Sequence, residues 1–142
     1  MTPELVPLCS IDLQMGDMSV IGEGPAGLRV VAQVAGGTVT GARLSGTVLG
    51  PSTADWVVLH ASGVATVDVR ATVRTDSGAF VYATYGGRID MSDGPGTAPI
   101  YVAPTFETGD PDLAWLNLVQ AVGIGQLDGD ALHYDWFELR VR

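Results

Sequence analysis

Apolar residues recur at every second position along almost the whole chain, in runs that Gly, Pro, Asp and Ser cut short. A period of two places alternate side chains on opposite faces of an extended strand, whereas a helix needs a period of 3.6. Nine such segments are legible, at 8–15, 28–35, 38–49, 55–61, 64–75, 79–85, 100–106, 114–123 and 131–141. The connections Ala61-Ser62-Gly63 and Asp76-Ser77-Gly78 are too short for anything but antiparallel neighbours, so the fourth, fifth and sixth segments form a meander. No window of a dozen residues keeps the helical period, and negligible helix is expected. The 142 residues suit one domain. The expected fold class is all-β: a single antiparallel barrel of about nine strands spanning 1–142, because closure removes exposed strand edges. A two-sheet sandwich is the other arrangement open to such a pattern.

Charge narrows the partners. Seven arginines and no lysine stand against 16 acids, for a net charge of −9. The arginines, Arg29, Arg43, Arg70, Arg74, Arg88, Arg140 and Arg142, are scattered rather than clustered. Neither nucleic acid nor an anionic membrane is an expected partner, since both need a basic face. The first residues carry no basic stretch followed by a long apolar run, so the expected location is the cytoplasm. Cys9 is the sole cysteine, which excludes an internal disulfide, and it reads as a small buried hydrophobe.

Several motifs dissolve on inspection. Gly22-Glu23-Gly24-Pro25-Ala26-Gly27 matches a dinucleotide fingerprint letter by letter, but a strand-like segment follows where a helix must receive the phosphates, so it reads as a glycine-rich loop. His60 and His133 have no carboxylate at ligand spacing, and no metal is expected. Asp128-Gly129-Asp130 lacks the other ligands of a calcium loop and reads as a hairpin turn. No nucleotide loop or nucleophile elbow occurs, so no cofactor is expected. The segment 90–99 has neither period and is either a plain connection or a lid.

The faces are more informative. In the fifth segment Val67, Val69, Ala71 and Val73 alternate with Asp68, Arg70 and Thr72. Asp68 and Arg70 share a face, where they form a structural ion pair or hold a substrate group. The eighth segment is apolar on both faces, through Trp115, Val119 and Ala121 on one and Leu116, Leu118 and Val122 on the other, which calls for a second cover: a ligand, or a second copy in a homodimer. Asn117, alone in that run, is bonded to backbone or orients a ligand. Trp56, Tyr82, Tyr101, Trp115, Tyr134 and Trp136 are the aromatics that could line a cavity.

The pieces Ala26-Gly27-x-Arg29, Gly36-Gly37-x-x-x-Gly41-x-Arg43-Leu44-x-Gly46, Ala54-Asp55-Trp56, Asp68-x-Arg70, Thr75-Asp76-x-Gly78, Phe106-Glu107-Thr108-Gly109 and Trp115-Leu116-Asn117 together resemble the bacterial domain-of-unknown-function family 3237. The resemblance spans nearly the whole chain and implies a compact, closed, calycin-like β-barrel. It also exposes departures. Ala103 and Leu118 stand where the family commonly has arginine, and Leu113 where it commonly has tyrosine. These exchanges imply a more hydrophobic ligand than the family's usual one.

The function expected from this reading is ring closure of a hydrophobic, polyketide-like small molecule held inside the barrel, a pericyclic reaction promoted by conformational restriction. Asn117, Tyr82 and Arg70 are the candidate catalytic donors. Trp56, Trp115, Tyr101, Tyr134, Asp68 and Glu107 are the candidate substrate-binding residues. A lysine-free chain rich in Ala, Gly, Val and Arg fits a GC-rich bacterial genome, where biosynthetic pathways of this kind are common. Acid–base isomerisation or hydration through Glu107 or Asp68, and ligand carriage without chemistry, are the two rival functions.

Overall fold

The computed structural model describes residues 1–142. Ten strands build one antiparallel sheet: β1 (Pro3–Gly24), β2 (Gly27–Thr40), β3 (Gly46–Val48), β4 (Ala54–Leu59), β5 (Val64–Thr75), β6 (Phe80–Asp90), β7 (Ile100–Val102), β8 (Thr105–Glu107), β9 (Ala121–Asp128) and β10 (Ala131–Val141). Eight of them close a ring, β1-β2-β4-β5-β6-β7-β9-β10 and back to β1. The barrel is therefore the arrangement adopted. Two short strands fill out the ring: β3 continues the place of β4 between β2 and β5, and β8 lies further along β6 from β7.

Inward-facing positions follow the period of two. Val67, Val69, Ala71 and Val73 of β5 are buried, as are Val81, Ala83 and Tyr85 of β6 and Leu132, Tyr134 and Trp136 of β10. The meander β4-β5-β6 forms as its short turns require. Gly27, at φ 128°, closes the β1–β2 hairpin, so the glycine-rich motif is a turn. A Cβ there would also lie 2.9 Å from the Leu59 carbonyl oxygen, a second reason for glycine. Asp128-Gly129-Asp130 lies at the β9–β10 turn, with Gly129 at φ 62°.

Several sequence expectations are corrected: β1 runs well beyond 8–15 on both sides, and 28–35 joins the start of 38–49 in the single strand β2. The segment 38–49 breaks after Thr40, and β3 begins only at Gly46. The segment 100–106 splits at Ala103-Pro104, where a proline offers no N–H to a ladder. The largest correction concerns 114–123. Pro111–Leu118 is a 3-10 helix, so helix is not negligible, and β9 starts only at Ala121. Its start is fixed by Asp110, whose carboxylate accepts the Asp112 N–H at 2.9 Å, and by Pro111, whose ring presets the first helical φ. Leu116 is fully buried while Leu118 is 91% exposed. The two-faced apolar strand does not exist, and with it goes the reason for expecting a second copy against that strand. No helix is long and apolar enough to cross a membrane.

Candidate active site

The barrel is packed at one end and hollow at the other. At the end where β9 turns into β10 it holds a cavity of about 390 Å³, within the size range of small-molecule sites. Its walls are aliphatic, including Leu28 and Val30 of β2, Val57 and Leu59 of β4, and Ala65 and Val67 of β5. The segment 90–99 contributes Met91, Pro95, Gly96 and Ala98 to the rim. It is part of the wall, tied down by the Gln126 amide donating to the Gly96 carbonyl at 2.7 Å and the Met91 N–H to the Gly63 carbonyl at 2.8 Å.

No arginine or histidine lines this space; its charged groups are Asp55 and Asp130. Asp55 pairs with Ala32 of β2 and shares the inward phase of Val57 and Leu59. The β4–β5 ladder pairs Asp55 with Val69 and Val58 with Thr66 but not the residues between, and there the Asp68 N–H donates to Asp55 Oδ1 at 2.9 Å. Burial among aliphatic side chains pushes the Asp55 carboxyl up to about 6, the Asp68 N–H pulls it down, and the Asp68 carboxylate adds a smaller upward push. A carboxyl so placed exchanges its proton near neutrality, which is what a general base or acid requires.

Beside Asp55 stand two tyrosines. Tyr134 of β10 lines the cavity, and Tyr85 of β6 meets it edge to face, with ring centroids 5.7 Å apart. Burial holds both phenols well above their ordinary range, with Asp55 and the neighbouring phenol among the further influences. They remain protonated, and therefore remain hydrogen-bond donors, throughout the range in which Asp55 titrates. The site thus combines a half-buried carboxyl, Asp55, and a phenol donor, Tyr134, backed by Tyr85, with largely aliphatic walls and Asp130 at the exposed rim.

Of the nine side chains singled out in the sequence, Tyr134 alone lines this chamber. Arg70 and Asp68 lie on the outer face of β5 and form no ion pair; the Arg70 guanidinium instead sits 5.2 Å from the centre of the Trp56 ring on β4. Tyr101 is 57% exposed on β7. Trp115 belongs to the 3-10 helix and lies under Arg43, which also bonds Glu138 at 2.8 Å. Tyr82, Glu107 and Asn117 do come together, in an open cleft on the outer wall with Phe80 and Thr108. Asn117 is structural there: its Oδ1 accepts the Thr108 N–H at 2.8 Å and its Nδ2 donates to the Thr108 carbonyl at 3.0 Å. Asn117→Ala should cost about 1–3 kcal/mol of stability in urea unfolding and leave ligand binding in the barrel unchanged.

Ala103 and Leu118 are also on the surface, so the arginine-to-apolar exchanges do not shape the chamber. Its apolar character comes from the inward faces of β2, β4 and β5. Asp55 is the residue the sequence reading missed. The signal was present, an acid in phase with Val57 and Leu59, but visible only once the inward face of β4 is known.

Elsewhere, His133 on the outer face of β10 bonds Asp12 at 2.7 Å and Asp135 at 3.0 Å. The Asp12 bond is the largest influence raising its pKa. The Ser10 hydroxyl donates to Asp135 rather than to the imidazole, so no activated nucleophile results. Cys9 is buried, and burial pushes its thiol up to about 12, as expected of a structural cysteine.

Comparison with known proteins adds to this geometry. The chain is 29% identical to a UPF0311 protein of Rhodopseudomonas palustris, over 95% of this chain and 97% of that protein. A β-barrel-like protein from Acinetobacter baumannii superposes with a TM-score of 0.87 at 27% identity, covering 99% of this chain and 98% of that one. A hydroalkoxylation enzyme of the fungus Penicillium herquei is 27% identical over 85% of this chain and 73% of its own length. The crystal structure of an enzyme from the same fungus superposes with a TM-score of 0.73 at 25% identity, covering 97% of this chain and 96% of that one. Small-molecule conversion therefore occurs among proteins related to this one. The family model described as protein of unknown function (DUF3237) matches residues 3–139, and the chain belongs to that family.

Proposed function

We propose that the protein is an enzyme that closes a ring in a hydrophobic small molecule by adding one of the molecule's own hydroxyl groups across a C=C bond. The observation that carries this is Asp55, a carboxyl titrating near 6 inside an aliphatic chamber beside protonated Tyr134 and Tyr85. The likeness to a hydroalkoxylation enzyme supports the same reaction class.

Chemistry limits the substrate. A carboxyl with a pKa near 6 is far too weak an acid to protonate an isolated alkene, so the C=C must be conjugated to a carbonyl group. The Asp55 carboxylate takes the hydroxyl proton as the oxygen attacks the far carbon of the conjugated system, and the π electrons move onto the carbonyl oxygen. A tyrosine hydroxyl donates to that oxygen as its charge grows. Asp55 then returns its proton to the carbon next to the carbonyl. The product is an isomer of the substrate, with no electrons gained or lost. Ring closure inside the barrel is retained from the sequence reading; proton transfer replaces conformational restriction as its main driver.

The test uses 2′-hydroxychalcone and related neutral hydroxy-enones, whose cyclisation is followed by loss of enone absorbance. Acceleration over the uncatalysed rate, saturable and abolished by an apolar competitor, is the expected result. Saturable binding of the panel with no acceleration would leave the protein a carrier and overturn the enzyme reading.

A further inference from the structure

We infer that Gly125 on β9 fixes where the Tyr134 ring lies and so sets the size of ligand the chamber accepts. The inference rests on the cavity being the ligand site, and it names a specificity-determining residue for that site.

Gly125 faces inward and is the register partner of Tyr134 on the adjacent strand. A Cβ built on Gly125 would stand 2.4 Å from Cε1 of the Tyr134 ring, 2.6 Å from Cδ1 and 3.1 Å from Cζ. Contacts this short to three atoms of one ring mean that the ring lies flat against the glycine backbone. Gly123, two residues earlier, bears the same relation to Trp136, whose Cδ1 would be 2.4 Å from an added Cβ. The inner face of β9 is therefore a smooth bed for two aromatic rings of β10.

The consequence differs between the two. Trp136 lies among the packed residues and does not line the chamber, whereas Tyr134 does. Any side chain at position 125 must push the Tyr134 ring off β9. Tyr85 stands against that ring edge to face, and Ile100, the partner of Gly125 on β7, is buried beside it. The direction left open is the hollow end of the barrel. A single methyl group at 125 thus brings a whole phenol ring into the ligand's space.

The experiment compares two neutral fluorescent probes, three-ring 1-aminoanthracene and two-ring 1-aminonaphthalene, by emission on binding. Gly125→Ala should weaken the three-ring probe roughly ten-fold or more while changing the two-ring probe less than about two-fold, the range that one lost or gained apolar contact group spans. In a Tyr134→Leu background, adding Gly125→Ala should change neither probe appreciably, since no ring remains to be displaced. Equal loss of both probes in folded Gly125→Ala, or an undiminished penalty in the Tyr134→Leu background, would overturn the assignment. Should Gly125→Ala fail to fold, the parent protein still decides: the Gly125 Hα resonances must show strong upfield ring-current shifts that disappear in Tyr134→Leu, and ordinary shifts would refute the stacked geometry. None of these readouts requires turnover, so a failure of the proposed reaction and a failure of this inference are separable.

Discussion

Asp55→Asn should slow hydroxy-enone cyclisation by roughly 10²–10⁴-fold, the usual range for removing a general base, and at the same time make the protein harder to unfold. The opposite signs have one cause. The folded chain holds the Asp55 carboxyl near 6 against an ordinary value of 3.8 because burial penalises its charge. Between those two values the folded state binds a proton that the unfolded state has released, so stability falls as pH rises across that window and stays low above it. A displacement of about two units corresponds to about 3 kcal/mol, an upper figure for a partly exposed group. Asparagine is never charged, and its Oδ1 can keep the Asp68 N–H. The variant should therefore exceed the parent in urea stability at about pH 8 and approach it at about pH 4. The parent's rate should climb with pH through about 6 and then level off. A variant with unchanged rate, or a parent rate flat through that region, would return the mechanism to shape-directed cyclisation.

Leu116→Ala should be strongly destabilising although it lies outside the chamber, costing about 2–5 kcal/mol in urea unfolding. Leu116 is the fully buried residue of the 3-10 helix. That helix precedes β9, at the opposite end of the strand from the turn that borders the cavity. Truncation there leaves a void under a short helix, whose bonds along its own axis are too few to hold it. The folded variant should still bind 1-aminoanthracene as the parent does, because the two ends of the barrel are filled independently. Loss of binding without loss of stability would contradict that separation.

Strand periodicity was readable because every second side chain in β5, β6 and β10 must enter one small core, and the alternation is physically unavoidable there. The 3-10 helix was not readable for the converse reason. Trp115, Leu116, Leu118 and Val119 are compatible with an extended strand by hydropathy alone, and the deciding contact is the cap made by Asp110. The candidate site was harder still. Trp56, Tyr82 and Tyr101 carry the residue types of a binding pocket, yet their phase turns them outward. Whether an odd or even position faces the lumen depends on pairing to strands distant in sequence, as Asp55 does on Ala32. Tyr134, an aromatic legible in the sequence, does line the cavity, but its ring packs against a glycine of another strand that hydropathy does not reveal.

The hydrogen bond that steadies Asp55 comes from main chain, the N–H of residue 68, and not from a side chain. Nearly every amino acid supplies that same group, so codon changes at position 68 leave the donor in place, proline excepted. The aliphatic wall residues can meanwhile be exchanged without touching it. The side chain at position 68 can therefore change freely while the Asp55 carboxyl keeps its aim.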